Sequence, residues 1–512
     1  MKTPSTDLFQ LIRSLSQTEK RYFRLFAGMQ SGDKNYVRLF NAIAQQEYYR
    51  EDEIRRIFKG EPFLKHFTAA KRYLFELITK SLRNYHAGDY LEFQIKDNIK
   101  NIRIFYEKGL FPLCHKLIQK TKKLAIRQED FTSHIEILKW EAQLMKAKML
   151  IGISKKQIGE FCEEVSGIVN KTGNWWEYSN LLLMTQYEFV KIGMPKQETN
   201  LSPFHDLFNH PLLNDERKAV SKKAKIIYRS IHRIFTLLKW DFISHHKHTA
   251  KMLELIESDR EMKKEEPDQY ALFLRLMISA ALYLDNYKEA LVYIEKLKSF
   301  DPKSRKLRQD GFDAAMLFEL EVYYNTAQFQ KALRLIRFND KRSLFISNPV
   351  NKLNYLISSA LIYFILEDFH ASLRYVNEAM AIEKEGIRTD LSALLRIFSL
   401  MIHIELGNYE LLEYSERSTK RFLEKEDYFH KYEKRILGFI RNEIPAFRSN
   451  ADRVSAYKKL KADIESLSDK KTSEGKSLPV RLNVLSWFDS KIQNRRYLDI
   501  LKENFETNGS VN

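Results

Sequence analysis

The sequence predicts an all-α protein built as a solenoid of stacked helix pairs, and three observations carry that expectation. Helix breakers are scarce: 16 glycines and 11 prolines in 512 residues are each under half the average usage of about 7% and 5%. Hydrophobic residues make up 44%, charged residues 30% and aromatics 13%, a balance that suits helices burying a continuous core and disfavours disorder. Finally, one pattern of helical spacing recurs about every 40 residues, and a fixed period of that size marks a repeat architecture. Sheets joined by tight hairpins would need more turn residues than this chain has.

Residues 1–90 read as a small basic helical domain. LFQLIRSL is followed by SQTE, where Ser16 and Glu19 have the spacing of a capping box that opens EKRYFRLFAGM. NYVRLFNAIAQQ, the short charged EDEIRRIF and a long helix over about Thr68 to His86 complete it. The segment carries 16 Lys and Arg against 10 Asp and Glu. Lys71, Arg72, Lys80 and Arg83, interleaved with Tyr73 and Tyr85, form a candidate nucleic-acid-binding face. The plainer expectation is a helical cap whose basic residues are solvated.

Residues 91–264 read as a divergent helical-repeat region. GLFPLCHKLIQK around Phe111 and Trp240-Asp241-Phe242 both suit the start of a second helix, and the register is lost between them. Pro195, Pro203 and Pro211 predict an irregular connection with a short helix near 191–223. Asp241, His245 and His248 fall at i, i+4 and i+7 on one helix face, the best metal-like spacing in the chain. With no fourth ligand they are expected to form a solvated face, and no metal or cofactor is predicted. Cys114 and Cys162, 48 residues apart with no Cys-x-x-Cys pair, support neither a disulfide framework nor a cysteine zinc site and are expected to be buried.

The repeats are clearest over 265–425. Aromatic anchors Tyr287, Phe329, Phe369 and Tyr409 stand 42, 40 and 40 residues apart. Three residues after each come Ala290, Ala332, Ser372 and Leu412, and seven after come Ile294, Ile336, Val376 and Glu416. Nine before lie Ile278, Leu320, Ala360 and Leu400, and six before lie Ala281, Tyr323, Tyr363 and His403. These offsets share helix faces, so each unit reads as helix, short turn, helix.

LDNYKEALVYIEKLKSFDP, residues 284–302, resembles the second half of a tetratricopeptide repeat: Tyr287 opens the helix, Ala290 is the small crossing residue and Pro302 ends the unit. The departures are a period of 40 to 42 where the family has 34, terminal prolines missing from the other units, and Ile278 where a small residue is usual. The resemblance implies a superhelix whose first helices line a concave, peptide-binding face. On this chain that lining comprises Arg275, Ser279, Tyr283, Glu321, Tyr324 and Asn325, continuing through Asn354, Ile357, Leu361, Phe364, Met401 and Glu405. An equal expectation is that long helices and bulky side chains fill the groove.

Residues 426–512 are expected to hold further helices, a mobile polar loop at 466–480 and a capping helix carrying Trp487, Phe488, Ile492, Tyr497 and Ile500. Catalytic motifs are missing. The sole GKS, Gly475–Ser477, has Lys470 where a P-loop needs glycine, and no Gly-x-Gly-x-x-Gly, Gly-x-Ser-x-Gly or His-Glu-x-x-His occurs. Arg396 and His403 have the Arg-x6-His spacing of some small helical nucleases, but the intervening IFSLMI lacks the usual polar residue. The longest apolar run, Leu356 to Leu366, is too short to span a bilayer, and the N-terminus lacks an uninterrupted apolar signal region. The expectation is therefore a cytoplasmic, non-enzymatic scaffold or adaptor for protein partners. The alternative is a nucleic-acid-binding regulator, which the net charge of +18 favours. Oligomeric state is not legible.

Overall fold

A computed structural model of the chain describes residues 6–29, 35–149, 151–192, 201–343, 348–383, 389–425, 431–467 and 483–509. Every regular element among the described residues is helical, and consecutive helices pack on one another as an all-α solenoid. The chain divides into two compact units, residues 1–172 and 173–512. That division falls inside one helix, Lys155–Ile192, a boundary that composition and proline placement do not reveal.

In the first unit, the helices up to Phe67–Tyr85 surround a core that includes Ile12, Phe23, Phe40, Ile54, Leu74 and Ile78. The Ser16 capping box forms: Ser16 N donates to Glu19 Oε2 at 2.7 Å, and Glu19 N donates to Ser16 Oγ at 3.2 Å. Leu91–Glu107, Phe111–Arg127 and Phe131–Ala147 then pack in succession around Ile95, Ile102, Cys114, Ile118 and Ile137.

The second unit continues as helix pairs. Lys222–Leu238 pairs with Phe242–Glu257, and Pro267–Tyr283 with Tyr287–Ser299. Arg305–Asn325 is followed by Phe329–Ser343, Pro349–Ile365 by Phe369–Glu383, and Thr389–Glu405 by Tyr409–Lys425. Where the pairs cross, Ala290, Ala332 and Ser372 are wholly buried, and Ser372 Oγ donates to the Ala360 carbonyl at 2.8 Å. A small residue at each crossing lets the helix axes approach.

One turn joins every such pair. Asp285, Ala327, Glu367 and Gly407 all take positive φ two residues before the anchor. The next residue's N–H reaches back five residues: Asn286 to Ala281, Gln328 to Tyr323, Asp368 to Tyr363 and Asn408 to His403, at 2.8 to 3.0 Å. This left-handed closure satisfies carbonyls that the first helix leaves open at its end. The same turn occurs at Trp240, and in the first unit at Gly109 and Glu129. Asp130, Asp241, Asn286 and Asp368 then cap the second helix, each accepting a backbone N–H three residues on at 2.9 to 3.2 Å.

Within the predicted irregular connection near 191–223, the segment's two ends are helical, Lys191 lying in the last turn of one helix and Lys222 opening the next. Pro203 and Pro211 open short helical turns that bury Phe204, Leu207 and Leu213. Pro fits there because the first turn leaves its N–H unused. Pro195 lies outside the described residues, as do Gly475–Ser477 and all of the predicted loop beyond Leu467.

Candidate interaction surfaces

The face that the first helices present is covered over much of the predicted lining. Phe364 is 1% exposed, and Ile357, Leu361 and Met401 are also buried. The covering elements are the chain's own helices Val484–Gln493 and Tyr497–Gly509. Phe364 meets the ring of Tyr497 at 5.7 Å and that of Trp487 at 6.5 Å. Glu405 accepts from Trp487 Nε1, and its other oxygen accepts from Lys491 Nζ at 2.6 Å. Further back, Tyr324 meets Phe505 edge-on at 6.1 Å, and Arg496 pairs with Glu367 at 3.2 Å. The C-terminal helices therefore do more than close the last apolar face: they reach from Glu405 back to Tyr324. Phe364, Tyr324 and Glu405 pack against these helices, a covering that neither the open groove nor a groove filled by the repeats' own side chains describes.

Tyr283 is likewise engaged, stacked on Phe242 at 4.9 Å with an interplanar angle of 12° and meeting His245 edge-on. Arg275 is half-buried, and its Nε finds no hydrogen-bond partner among the described residues. Glu321 is exposed, while Asn325, Ser279 and Asn354 are half-buried. Of the predicted lining on Pro267–Tyr283 and Arg305–Asn325, then, Glu321 alone is exposed.

The basic N-terminal face is only partly free. Lys71 is inward: its Nζ lies 2.6 Å from Glu51 Oε2 and over the rings of Tyr49 and Phe67. Burial opposes ionisation of Glu51, yet hydrogen bonds from Lys71 and Arg55 win and hold its carboxyl below the ordinary value. Arg72 is exposed and pairs with Glu76 one turn on, while Lys80 and Arg83 are exposed on the same helix. Tyr73, beside Tyr36 at 4.5 Å, and Tyr85, beside Tyr22 at 5.1 Å, keep about two-fifths of their surface in water.

The histidine face is not solvated. Asp241 is a helix cap, and His245 is 1% exposed with Nδ1 donating to the Arg233 carbonyl at 3.0 Å. Burial pushes the His245 imidazole down to about 4. His248 stacks on His232 at 5.4 Å and accepts from Arg229 Nη1 at 3.3 Å. Its pKa falls to about 4, first through burial and then through the neighbouring cationic groups. Among the described residues no three potential ligands come together as a metal site. Arg396 lies 4.2 Å over the Phe422 ring, and His403 is 9% exposed beside Asn408, both inside the helical packing. Cys114 is buried, but Cys162 is exposed, because it falls on the outer face of Lys155–Ile192.

No helix among the described residues is long and apolar enough to cross a membrane. A scan against protein-family models finds no match for the chain, and a search among curated proteins finds no relative.

Proposed function

We propose that the chain is a non-enzymatic, cytoplasmic scaffold for protein–protein interaction, a divergent member of the tetratricopeptide-like solenoids whose first-helix faces receive partner helices. The observation that supports it best is self-occupancy. Two helices from the chain's own C-terminus lie on that face, anchored by Trp487 and Lys491 on Glu405 and by Tyr497 on Phe364. A surface that seats an amphipathic helix through aromatic anchors and a charged clasp is a helix-recognition surface in its chemistry. The neighbouring first helices, with Glu321 exposed and Arg275 and Asn325 half-buried, offer the continuation for a partner in trans. Affinity capture from the native cell tests this. A partner that is kept under nuclease treatment and lost with Arg275→Glu and Glu321→Lys supports the reading, and capture unaffected by both changes refutes it.

The second reading, nucleic-acid binding, rests on Arg72, Lys80 and Arg83 standing exposed along one helix with Tyr73 beside them. Neutralising the three would weaken binding alike for all sequences and lower the salt slope by roughly 0.9 for each phosphate of duplex DNA that is no longer neutralised. Absence of salt-steep binding to random DNA dismisses it.

A further inference from the structure

The helix Lys155–Ile192 is two-faced where it runs through the second unit. Tyr178, Leu181 and Thr185 are buried, and the core they join includes Phe204, Leu213, Tyr228 and Ile231. The opposite stripe is Trp176, Asn180, Leu183, Tyr187 and Val190, at steps of four, three, four and three residues. Trp176, Leu183, Tyr187 and Val190 are 52%, 67%, 58% and 79% exposed, and Met184 beside them is 57% exposed. Alternating three- and four-residue steps with large apolar side chains make the seam of a two-stranded coiled coil, and a single Asn within such a seam fixes register at a cost in stability.

We infer that this stripe is the interface of an antiparallel homodimer. Its flanks say which partner fits. On the row just beside the seam lie Glu177, Met184 and Lys191, each seven residues from the next. The two opposite charges are thus equidistant from Met184. Only a second copy of the same helix, running the other way about a two-fold axis at Met184, brings Glu177 beside the partner's Lys191 and Lys191 beside the partner's Glu177. The same register sets the partner's Tyr187 level with position 181, between Asn180 and Leu183 on the seam. Lys191 already leans over the seam, its Nζ 4.2 Å from the centre of the Tyr187 ring. A parallel pair would align like flanks on opposite sides and leave both charges unmatched, whereas flanking charges commonly set coiled-coil orientation. Such an interface is isologous, the same patch on both subunits, as closed dimers require.

The area agrees. With large apolar residues exposing roughly 150 to 250 Å² each when free, these fractions leave roughly 600 Å² open per chain, or roughly 1,200 Å² for two, the lower end of stable interfaces at about 1,200 to 2,000 Å². An uncovered apolar patch of this size is at the upper end of the roughly 300 to 600 Å² that the largest patch on a monomer reaches, and such patches are often functional.

Analytical ultracentrifugation of the full chain over a range of concentrations tests the inference. The wild type should sediment as a dimer, and Leu183→Glu should weaken association at least 100-fold while far-UV circular dichroism stays the same, because the position is solvent-facing. Glu177→Lys and Lys191→Glu should each weaken it, and the double exchange should restore it. In a Cys162→Ser background, Met184→Cys should give a reducible cross-linked dimer under mild oxidation, which a parallel pair would not. A wild-type monomer at about 100 µM, where even a Kd of ~10 µM gives mostly dimer, overturns the inference. So does a dimer indifferent to Leu183→Glu, or a double exchange no better than either single change.

Discussion

Trp487→Ala should release the C-terminal helices from the solenoid face without unfolding the repeats upstream. Trp487 is 3% exposed, meets Phe364, Tyr457 and Phe488, and donates to the Glu405 carboxylate. Truncating a buried Trp costs about 3 to 5 kcal/mol through lost transfer free energy and the cavity left behind. The lost donor to a carboxylate adds roughly 1.5 to 3 kcal/mol, moderated here because Lys491 still holds the other oxygen of Glu405. At 1.4 kcal/mol per tenfold, the lower figure alone is roughly a 100-fold change in the opening equilibrium. Native-state hydrogen exchange reads it directly. Amides of residues 484–509 should exchange at least about 100-fold faster, with those of Pro267–Tyr283 unchanged, since local opening draws on the packing of the opening segment alone. Trp487→Phe separates the two contributions, keeping most of the ring packing and losing only the donor. A change in residues 484–509 below fivefold, under about 1 kcal/mol, would refute the assignment of these helices to the first-helix face.

Gly407→Ala should lower stability by about 1 to 2 kcal/mol in urea titrations, because its φ of 66° is left-handed and nothing but backbone strain opposes the methyl group. At the equivalent turn, Ala327→Gly relieves that strain against a backbone-entropy cost of about 0.5 to 1 kcal/mol and should be neutral or stabilising by up to about 1 kcal/mol. Ala290→Arg forces a long charged side chain into a fully buried crossing; in urea titrations it should lower the unfolding free energy by more than the about 1 to 3 kcal/mol typical of overpacking alone. His245, depressed to about 4 by burial, favours its neutral form in the fold, so the unfolded chain binds the extra proton between about pH 6.5 and 4 and stability rises with pH there. Stability should therefore fall by about 2 kcal/mol from pH 7 to 5 through this group alone, and His245→Gln should flatten that part of the profile. A chelator should leave the melting temperature unchanged, since Asp241 caps a helix and His245 donates to a carbonyl.

The repeat was legible in the sequence because burial writes itself at fixed offsets. A crossing that admits only a small side chain makes Ala290, Ala332 and Ser372 recur, and all three are fully buried. What covers the first-helix face was not legible. Glu405 and Trp487 are 82 residues apart, and nothing local in either segment encodes that they meet. The inward turn of Lys71 is not legible for a similar reason: its partner Glu51 lies 20 residues earlier, on another helix.

Between Phe111 and Phe242 the register is lost for a different reason: the turn, not the period, carries the signal there. The left-handed position itself carries no signature, being occupied by Gly109, Glu129, Trp240, Asp285, Ala327, Glu367 and Gly407. The two residues after its start do. Asp130-Phe131, Asp241-Phe242, Asn286-Tyr287, Asp368-Phe369 and Asn408-Tyr409 repeat one doublet, a short polar side chain and then an aromatic. In the first four the polar residue caps the second helix, a role that needs a short oxygen-bearing side chain. The aromatic after the turn folds back on the first helix, both in the doublet Asp368-Phe369, where Phe369 meets Phe364, and where Leu110 or Gln328 precedes it, Phe111 meeting Tyr106 and Phe329 meeting Tyr324, each five residues earlier. The doublet thus reports the turn's own physics, whereas spacing between anchors also counts whatever helix length lies between them. Phe131, only 20 residues after Phe111, breaks the 40-residue period yet obeys the turn.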